Sequence, residues 1–453
     1  MVIATLAAVA CADAPAGSVE SGPPARVRAG IEVLLTDSIH LVRGRRVGLV
    51  TNHTGIFPAD GLSPGGGPPG ETTGGGLPGD TPGRATPGEA ADDPRAATAT
   101  RSTIDALAEA PGVELVALYA PEHGIRGDEE AGETIESSVD ARTGVPIHSV
   151  YGATRKPTPE MLEGVDVLVF DMQDVGARYY TYVYTMAYAM EAAGEAGIPF
   201  VVLDRPNPIR GDVVQGNVLD TAFATFVGLY PTPMRHGMTA AELARLYAGE
   251  FGIDVELHVA PMDGWRRDMT FDETGLPWVP PSPNIPSVES ALAYPGSCLF
   301  EGTPLSVGRG TDRAFEWVGA PWLDAHAYAS ALAAEGLPGV AFRSARFRPT
   351  FQKWAGRVCG GVQLHVTDRA RFKPFLTGLA LVAVARRLGR RAFRWRRPPY
   401  EFERRRLPLD ILLGTDEIRH AIERGESLRR IERGWQGDLA RWRRRRAAIL
   451  AYR

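Results

Sequence analysis

Residues 113–124 read Val-Glu-Leu-Val-Ala-Leu-Tyr-Ala-Pro-Glu-His-Gly, an apolar run that ends abruptly in a glutamate and a histidine. The run from Val113 to Ala120 has the length and β-branched content of a buried strand, and Pro121 and Gly124 close it. Glu122 and His123 therefore fall at the carboxyl end of a strand. In open α/β sheets this is the edge at which ligands bind. The stretch predicts a buried strand that ends in an acid at a binding edge.

Strands and helices alternate on both sides of this stretch. The predicted elements, in chain order, are strand 46–51, helix 102–110, strand 113–120, strand 165–170, helix 181–196 and strand 199–203. Such βαβ units build a parallel sheet. The strands are nearly continuous apolar runs, as expected when helices cover both faces. The sequence therefore predicts an α/β fold with a doubly wound parallel sheet.

Each of four predicted strands ends in a polar cluster. The clusters are Thr51-Asn52-His53, Pro121-Glu122-His123-Gly124, Asp171-Met172-Gln173-Asp174 and Asp204-Arg205-Pro206-Asn207. Because the carboxyl ends of parallel strands meet at one edge of a sheet, we expect all four clusters along one rim. No Gly-x-Gly-x-x-Gly or phosphate-loop motif follows any of these strands, so the fold does not imply a nucleotide, and no cofactor is predicted.

The composition, 44% hydrophobic and 23% charged residues in 453, is that of an ordinary globular protein. A net charge of −4 and a pI near 6.2 provide no overall attraction to nucleic acid or anionic lipid, so no nucleic-acid partner is expected. Only Lys156, Lys353 and Lys373 are lysines among 50 basic residues. This bias toward arginine makes any single arginine a weak functional signal.

Residues 1–11 are small and apolar and end in Ala-Val-Ala-Cys, which resembles the end of a bacterial lipoprotein export signal, although no basic residue precedes it. We therefore expect an exported protein, periplasmic or on the outer surface, that contacts the membrane only through a lipid on Cys11. No stretch reaches the roughly 18–20 uninterrupted apolar residues that spanning a bilayer requires. Cys298 and Cys359 lack the spacing of a zinc or redox motif, and the sequence leaves open whether they pair.

Composition also divides the chain into an N-terminal linker (1–25), a first domain (26–282) and a smaller α+β C-terminal domain (283–453). Residues 58–94 hold 19 Gly or Pro, and we predict a disordered insertion within the first domain, beside the first rim loop. Pro277–Pro286, with five prolines, predicts a rigid connection to the second domain. That domain is predicted to contain strand 361–366 and helices 372–388, 416–424 and 427–446, with Arg441–Arg446 on a solvated helix face.

Glu122 is the first candidate for chemistry. A carboxylic acid between an apolar strand and a histidine can have its pKa raised enough to donate a proton near neutrality. The alternative is a turn carboxylate that accepts hydrogen bonds from backbone amides. Asp171 and Asp174 follow the neighbouring strand and would serve as nucleophile, base or polarising group, unless one of them caps the next helix.

Other side chains allow further hypotheses. Arg126, Arg178 and Arg309 are candidates for a bidentate grip on an anionic substrate. His53 and His123 would bind a metal only together with the aspartates, and because no His-x-x-x-His spacing occurs, no metal is predicted. There is no Gly-x-Ser-x-Gly elbow for a serine nucleophile. The tyrosines from Tyr179 to Tyr184 offer stacking platforms for a sugar ring or, alternatively, packing residues.

A series of motifs resembles the bacterial exo-acting β-N-acetylmuramidases, a glycoside hydrolase family of the NamZ type, from about Gly30 onward. The motifs are Gly48-Leu-Val-Thr-Asn52, Ala120-Pro-Glu-His-Gly124, Phe170-Asp-Met-Gln-Asp-Val-Gly-Ala-Arg178, Leu203-Asp-Arg-Pro-Asn-Pro208, Pro281-Ser-Pro-Asn284, Phe300-Glu-Gly-Thr303, Gly308-Arg-Gly-Thr311 and Cys359-Gly-Gly-Val-Gln363. Their number and common order indicate a relationship across nearly the whole chain.

The resemblance implies a Rossmann-like domain joined to a smaller domain, an active site in the cleft between them, and release of terminal N-acetylmuramic acid from the non-reducing ends of peptidoglycan fragments. Glu122 matches the glutamate proposed as catalytic in the family's Pro-Glu-His-Gly motif, with Asp171 and Asp174, then Glu301, as candidates for a second group. The residues predicted to bind substrate are Asn52, His53, His123, Arg126, Gln173, Arg178, Tyr180, Asn207, Asn284, Glu301 and Arg309. The competing hypothesis is a non-catalytic peptidoglycan-binding protein on the same fold.

Overall fold

The computed structural model describes residues 26–59, 100–121, 124–125, 138–152, 154–401 and 403–453. Three sequence predictions fall on residues outside these ranges: the export signal, all but the first two residues of the 58–94 insertion, and the roles of Glu122, His123 and Arg126. The strands are β1 (Arg46–Thr51), β2 (Ile56–Pro58), β3 (Thr100–Ser102), β4 (Glu114–Ala120), β5 (Ser138–Val139), β6 (Pro146–Ser149), β7 (Val167–Asp171), β8 (Phe200–Leu203), β9 (Gln215–Val218), β10 (Pro233–Arg235), β11 (Leu257–Ala260), β12 (Trp317–Ala320), β13 (Val340–Phe347) and β14 (Cys359–Val366). The α-helices are α1 (Gly30–Thr36), α2 (Thr103–Ala108), α3 (Tyr182–Ala196), α4 (Ala240–Glu250), α5 (Val288–Ser297), α6 (Ala325–Ala333), α7 (Pro374–Gly389), α8 (Pro408–Leu413), α9 (Glu417–Glu423), α10 (Leu428–Gly434) and α11 (Gln436–Ala447).

The central sheet has seven strands in the order β11-β8-β7-β1-β4-β6-β5. All neighbours in it run parallel except the short edge strand β5, which is antiparallel to β6. The chain builds outward from β1 to β4 and β6, then crosses to the other side of β1 with β7, β8 and β11. This reversal confirms the doubly wound parallel sheet, and ligand crevices form where strand order reverses.

The strand register brings the rim clusters to one edge. Thr51 at the end of β1 pairs with Asp171 at the end of β7, and Val50 pairs with Tyr119 of β4. Phe170 of β7 pairs with Val202 of β8. The strands that lead into the four polar clusters therefore end at the same rim, as the sequence predicts.

Alternate residues of the central strands pack into two separate cores. Leu49, Val169 and Val201 belong to the core on one face, and Val50 and Phe170 belong to the core on the other. All five are at most 1% exposed. Burial on both faces explains why these strands read as continuous apolar runs rather than alternating ones.

A short antiparallel pair, β2 with β3, flanks the residues between Asp60 and Ala99 that lie outside the description. The Ser102 hydroxyl accepts a hydrogen bond from the Asp105 amide at 3.0 Å and so caps α2. Pairing of β2 with β3 therefore brings Pro58 beside Thr100, directly before the capped helix.

The C-terminal region contains an antiparallel sheet, β12-β14-β13, covered by α6, and α6 in turn packs against α7. Helices α5 and α7 cross at Gly296 and Gly378, where a Cβ on Gly378 would lie 2.3 Å from the Gly296 carbonyl oxygen. Only glycine permits this close approach, which fixes the helix that precedes the turn carrying Glu301. No helix in the described part of the chain is long and apolar enough to cross a membrane.

The helix predicted over 427–446 is instead two helices, α10 and α11, which meet at the buried Trp435. The prediction that Arg441–Arg446 forms a solvated face is also wrong at its end, because Arg446 is buried. Its guanidinium donates to the carbonyl oxygens of Gly211 at 2.9 Å and Asp212 at 3.1 Å. The C-terminal helix thereby packs against the first domain.

Candidate active site

The loops that follow β1 and β7 are joined by a network of hydrogen bonds. The Asn52 amide oxygen accepts from the backbone amide and hydroxyl of Thr54, at 3.0 and 2.6 Å. The Thr54 hydroxyl in turn accepts from the Gln173 amide at 3.0 Å, and the Thr51 hydroxyl donates to the Asp171 carbonyl at 2.8 Å. The bond from Gln173 uses its backbone amide, and its side-chain Nε2 donates to the carbonyl oxygens of Asp174 at 2.8 Å and Pro206 at 2.7 Å. Asn52 and Gln173 are thus part of the rim's framework, and both are buried.

Asp171 is fully enclosed at this rim. Its carboxylate accepts two hydrogen bonds from Arg205, at 2.5 Å from Nε and 2.9 Å from Nη2, and a third from the Thr103 hydroxyl. Arg205 also donates to the Ile56 carbonyl at 3.0 Å. With no exposed surface and both oxygens occupied, Asp171 has the geometry of a positioning residue, which does not support its predicted role in catalysis.

Asp174 is also held inward. One carboxylate oxygen accepts from the Gly176 amide at 2.7 Å and lies 3.4 Å from Nε2 of His236. Nδ1 of His236 accepts from the Met238 amide at 3.2 Å, which leaves the proton of a neutral ring on Nε2, and this nitrogen forms no hydrogen bond to any described residue. The other oxygen of Asp174 has no hydrogen-bond partner among the described residues. The carboxylate therefore lies in close buried contact with His236, a neighbour that sequence reasoning did not find.

Arg178 is not available to a substrate, contrary to its prediction as a binding residue. Only 1% of it is exposed, and its guanidinium donates to four backbone carbonyl oxygens. These belong to Asn217, Thr232, Leu412 and Leu413, at 2.7–3.1 Å. Burial lowers its pKa to about 10. Arg178 joins the first domain to α8 of the second, so its role is to fix the two domains relative to each other.

The proline-rich connection is held by three ring side chains. His53 Nε2 lies 2.7 Å from the Pro280 carbonyl oxygen, and the hydroxyls of Tyr180 and Tyr182 both donate to the Pro281 carbonyl at 2.7 Å. Two predicted binding residues, His53 and Tyr180, therefore position the connection, and Tyr180 in addition faces the cavity described next. The alternative that the tyrosines are packing residues is correct for Tyr182, which is buried.

Two asparagines predicted to bind substrate lie in the walls of the site. The Asn207 side chain donates to the Met238 carbonyl at 2.9 Å and accepts from the Ile209 amide at 3.2 Å, so both ends are occupied within the protein. Asn284 is 4% exposed, and its side-chain nitrogen has no partner among the described residues. Of the two, Asn284 keeps a donor for a further group.

A cavity of about 390 Å³ lies where the proline-rich connection meets the C-terminal domain. Its wall combines residues from both domains, among them Tyr179, Tyr180, Ser282, Glu301, Arg309 and Tyr400. Three of the predicted site residues, Tyr180, Glu301 and Arg309, meet here. The cavity combines aromatic walls with a few polar and charged groups, as ligand sites commonly do.

Glu301 is the centre of the cavity's charged wall. One carboxylate oxygen accepts from Arg309 Nη2 at 2.7 Å and the other from the Tyr400 hydroxyl at 2.7 Å. Burial alone would lower the pKa of Arg309, but Glu301 and its neighbours raise it overall. Arg309 Nε makes no hydrogen bond within the described residues. The guanidinium thus stays charged and keeps donors for an anionic ligand.

Lys353 supports the turn that carries Glu301. Its Nζ donates to the carbonyl oxygens of Phe300 at 2.6 Å, Thr303 at 2.7 Å and Glu301 at 3.3 Å. Burial lowers the pKa of Lys353 to about 7. Through these hydrogen bonds the amine holds the 3₁₀ turn Cys298–Gly302 in place.

Comparison with known proteins now identifies the relationship. Residues 92–289 match the family model described as exo-β-N-acetylmuramidase NamZ, N-terminal, and residues 292–452 match the corresponding C-terminal model. The chain belongs to the NamZ family. It is 44% identical over 428 residues to the peptidoglycan β-N-acetylmuramidase NamZ of Bacillus subtilis (strain 168), which covers 94% of this chain and 92% of that protein. These matches confirm the family resemblance read from the motifs.

Two solved structures of Bacteroides fragilis NCTC 9343 proteins, both described as DUF1343 family members, share the fold. One superposes with a TM-score of 0.79 at 34% identity and the other with 0.68 at 28% identity. Each covers 95% of this chain, and this chain covers 100% and 99% of them respectively. The structural similarity therefore extends over the full length of both relatives and is not limited to one domain.

The structure describes the first two residues of the NamZ motif that contains Glu122, Ala120 and Pro121. β4 ends at Ala120, next to β1, and Pro121 is buried. Glu122, His123 and Arg126 lie outside the described residues, so their predicted roles stay predictions. No group of three His, Cys, Asp or Glu in the described ranges is arranged to hold a metal ion. Cys298 and Cys359 are buried free thiols rather than a pair.

Four residues of the candidate site were not found by sequence reasoning: Thr103, His236, Lys353 and Tyr400. Thr103 and His236 follow no motif that indicates a partner. Tyr400 contributes its hydroxyl from an irregular loop 99 residues after Glu301. Lys353 carried a signal, because it is one of three lysines in a chain that otherwise uses arginine.

Proposed function

We propose that this protein is an exo-acting glycoside hydrolase that releases terminal, non-reducing, β-linked N-acetylmuramic acid from peptidoglycan fragments. The observation that carries the proposal is the cavity between the two domains, where Glu301, Arg309 and Tyr400 face Tyr180 in a chain of the NamZ family. The Bacillus subtilis relative is named a peptidoglycan β-N-acetylmuramidase, and the matching family models are named for an exo-β-N-acetylmuramidase.

The chemistry of the cavity suits such a sugar. N-acetylmuramic acid carries a lactyl carboxylate, which an arginine with spare donors can bind. Arg309 has such donors, and Glu301 fixes its orientation at 2.7 Å. Pyranose rings pack against aromatic side chains, and Tyr179 and Tyr180 form part of the wall. The cavity therefore offers both the anion partner and the apolar surface that the sugar needs.

Cleavage of the glycosidic bond needs an acid for the leaving oxygen. Glu122 supplies it in this proposal, because it follows a strand that ends at the shared rim of the sheet. Asp171 is held by Arg205, and Asp174 by the Gly176 amide beside His236, rather than turned outward. We therefore assign them to positioning the rim loops, and we place no protein nucleophile.

The test is release of the chromophore from a chromogenic N-acetylmuramide by wild type and Glu122→Gln. We expect turnover by the wild type and a loss of about 10²–10⁴-fold in the variant, the range for removal of a general acid. Full activity in the variant would refute the role of Glu122. Saturable binding of peptidoglycan fragments without hydrolysis would refute the proposed enzymatic activity and favour a non-catalytic binding protein.

Export as a lipoprotein remains a proposal that rests on residues 1–11. The measurement is incorporation of labelled palmitate into the full chain in a bacterial host, with Cys11→Ala as the comparison. Label in the wild type and none in the variant would support a lipid on Cys11. Equal labelling, or none in either, would refute it.

A further inference from the structure

The segment from Arg386 to Arg397 holds seven arginines and no Asp or Glu, in a chain whose net charge is −4. We call this segment the basic strap. It begins in the last turn of α7, continues through a 3₁₀ turn at Arg390–Ala392 and then runs without regular structure toward the cavity. The general preference of this chain for arginine over lysine does not explain why positive charge is concentrated here without any negative charge.

Aromatic residues fasten the strap to the C-terminal domain. Phe393 is buried, and its ring packs edge-on against Trp395 at 4.9 Å and Trp322 at 6.3 Å between centroids. Trp395 Nε1 donates to Glu423 at 2.7 Å. The backbone of the strap is therefore fixed, although its charges lie on the surface.

Burial alternates along the strap beyond the 3₁₀ turn. Phe393 is buried and Trp395 half-buried, whereas Arg394 and Arg396 are exposed. Phe393 has an extended backbone, with φ −82° and ψ 125°. Alternate side chains of an extended segment point the same way at a spacing of about 6–7 Å. Arg394 and Arg396 thus form a short row on the outer side.

The strap is continuous with the cavity. Arg396 lines the cavity wall, its amide donates to the Gly302 carbonyl at 3.1 Å, and its guanidinium lies 5.5 Å from the Tyr400 ring centroid. At the other end, Arg386, Arg390 and Arg394 line one shallow depression together with Trp395. Positive charge therefore extends from the wall of the cavity outward over the surface.

These charges are largely uncompensated. Among the described residues, only Arg387 of the seven forms an ion pair, with Glu335 at 3.6 Å, and Arg387 is 61% exposed. Exposed ion pairs of this kind contribute little to the free energy of folding. A solvated face that exists only for solubility would carry both signs. A strip that carries only positive charge and ends at a ligand cavity instead indicates that the ligand is anionic and extends beyond the cavity.

We infer that the basic strap binds the remainder of an anionic glycan strand whose terminal sugar occupies the cavity. This inference rests on the proposed function. A strand of stem-free peptidoglycan carries a lactyl carboxylate on every second sugar, so it presents repeated carboxylates to repeated arginines. The strap then favours longer fragments over a single sugar, and it contributes nothing to a substrate that has no sugar beyond the scissile bond.

The experiment compares kcat/KM for a stem-free hexasaccharide with that for the chromogenic N-acetylmuramide. The test variant is Arg390→Gln/Arg391→Gln/Arg394→Gln. The control is Arg429→Gln/Arg433→Gln/Arg444→Gln, which removes three exposed arginines on α10 and α11 that form no ion pair in the described structure. We expect the ratio to fall about tenfold in the test variant, through KM and equivalent to about 1.4 kcal/mol, and to stay at the wild-type value in the control. The fall should shrink in high salt.

An unchanged ratio in the test variant would overturn the inference, and so would an equal fall in the control. Loss of binding to anionic phospholipid vesicles, with an unchanged ratio, would assign the strap to a membrane surface instead. If the wild type hydrolyses neither substrate, the proposed function fails. Calorimetric titration with the hexasaccharide then tests the strap alone: weaker binding by the test variant than by the control would support it, and equal binding would refute it.

Discussion

The ε-amino nitrogen of Lys353 lies 2.6 Å from the carbonyl oxygen of Phe300, the residue that precedes Glu301. Carbonyls of Glu301 and Thr303 complete the shell around the amine, and Trp354 Nε1 donates to the Pro304 carbonyl at 2.7 Å. Two adjacent residues of one loop thus hold the segment that carries Glu301. The orientation of this carboxylate toward Arg309 and Tyr400 depends on that contact.

We predict that Lys353→Met raises KM for the chromogenic N-acetylmuramide by about tenfold, because loss of the amine leaves buried carbonyls unsatisfied at about 1–3 kcal/mol and releases the turn. Lys353→Arg should not restore the wild-type KM, since a planar guanidinium does not fit a shell built for one nitrogen. Steady-state kinetics of both variants provide the measurement.

Lys156→Met is the matched control, because Lys156 forms only exposed ion pairs with Glu191 and Glu195. It should keep the wild-type KM. If Lys353→Met also has the wild-type KM while its unfolding temperature falls, Lys353 stabilises the fold without positioning the site.

The sequence could have indicated Lys353, and the reason is compositional. In a chain with 47 arginines and three lysines, each lysine is rare enough to be a candidate for a role that arginine cannot fill. Lys156 and Lys373 form ion pairs that an arginine could also form. Only Lys353 occupies a carbonyl shell. Tyr400 gave no such signal, because neither its position in a loop nor its neighbours distinguish it from a packing tyrosine.

We predict that Asp171→Asn lowers the free energy of unfolding by about 3–5 kcal/mol, because removal of one partner leaves Arg205 buried without its carboxylate. Arg205 is 6% and Asp171 0% exposed. The double variant Asp171→Asn/Arg205→Met should lose less free energy of unfolding than the two single variants lose in sum. Chemical denaturation of the four proteins gives the coupling energy.

The control for this cycle is the pair Arg46–Asp166. Its geometry is similar, with Arg46 Nη2 and Asp166 at 2.8 Å, but the side chains are 48% and 39% exposed. Asp166→Asn should therefore change the free energy of unfolding much less, because solvent screens the pair. Equal effects of the two single variants would show that Asp171 is not the buried anchor that its contacts indicate.

The difference between the sequence prediction and the structure at Asp171 has a physical cause. Strand periodicity correctly placed the residue at the carboxyl end of β7, and the parallel register placed it beside Thr51. Periodicity does not show which partner faces the carboxylate. Arg205 follows a different strand, 34 residues later, and the choice between substrate and arginine depends on a side-chain contact that only the folded chain contains.

We predict that ionisation of Asp204 lowers the free energy of unfolding as the pH rises from about 4 to about 6. Burial raises the pKa of Asp204 from 3.8 to about 6, although hydrogen bonds from Tyr452, Ala241 and Thr239 oppose the shift. The folded state then binds more protons than the unfolded state in this interval, so ionisation above it costs up to about 3 kcal/mol.

The measurement is the free energy of unfolding against pH for wild type and Asp204→Asn. The variant should be less stable throughout, because an amide cannot accept all of the hydrogen bonds. Its stability should fall less steeply than that of the wild type between pH 4 and 6. Asp312→Asn, at a carboxylate that is 78% exposed, should retain the wild-type slope. Parallel curves for wild type and Asp204→Asn would contradict the assignment.

The C-terminal residues provide a final prediction, because Tyr452 links the end of the chain to the rim of the sheet. Its hydroxyl donates to Asp204 Oδ2 at 2.6 Å and accepts from the Met262 amide at 2.9 Å. Tyr452→Phe removes both bonds and leaves Asp204 with one donor fewer. We expect a loss of about 1–3 kcal/mol in the free energy of unfolding.

Tyr188→Phe is the control for Tyr452→Phe. Tyr188 stacks on Phe226 at 6.1 Å, and its hydroxyl makes no hydrogen bond to any described residue. Its removal should therefore leave stability close to the wild-type value. A second readout tests the link to Asp204: without the hydroxyl, which favours the ionised carboxylate, the pKa of Asp204 rises further. The fall in stability with pH should then extend to higher pH in Tyr452→Phe than in the wild type, and an unshifted profile would show that the hydroxyl does not act on Asp204.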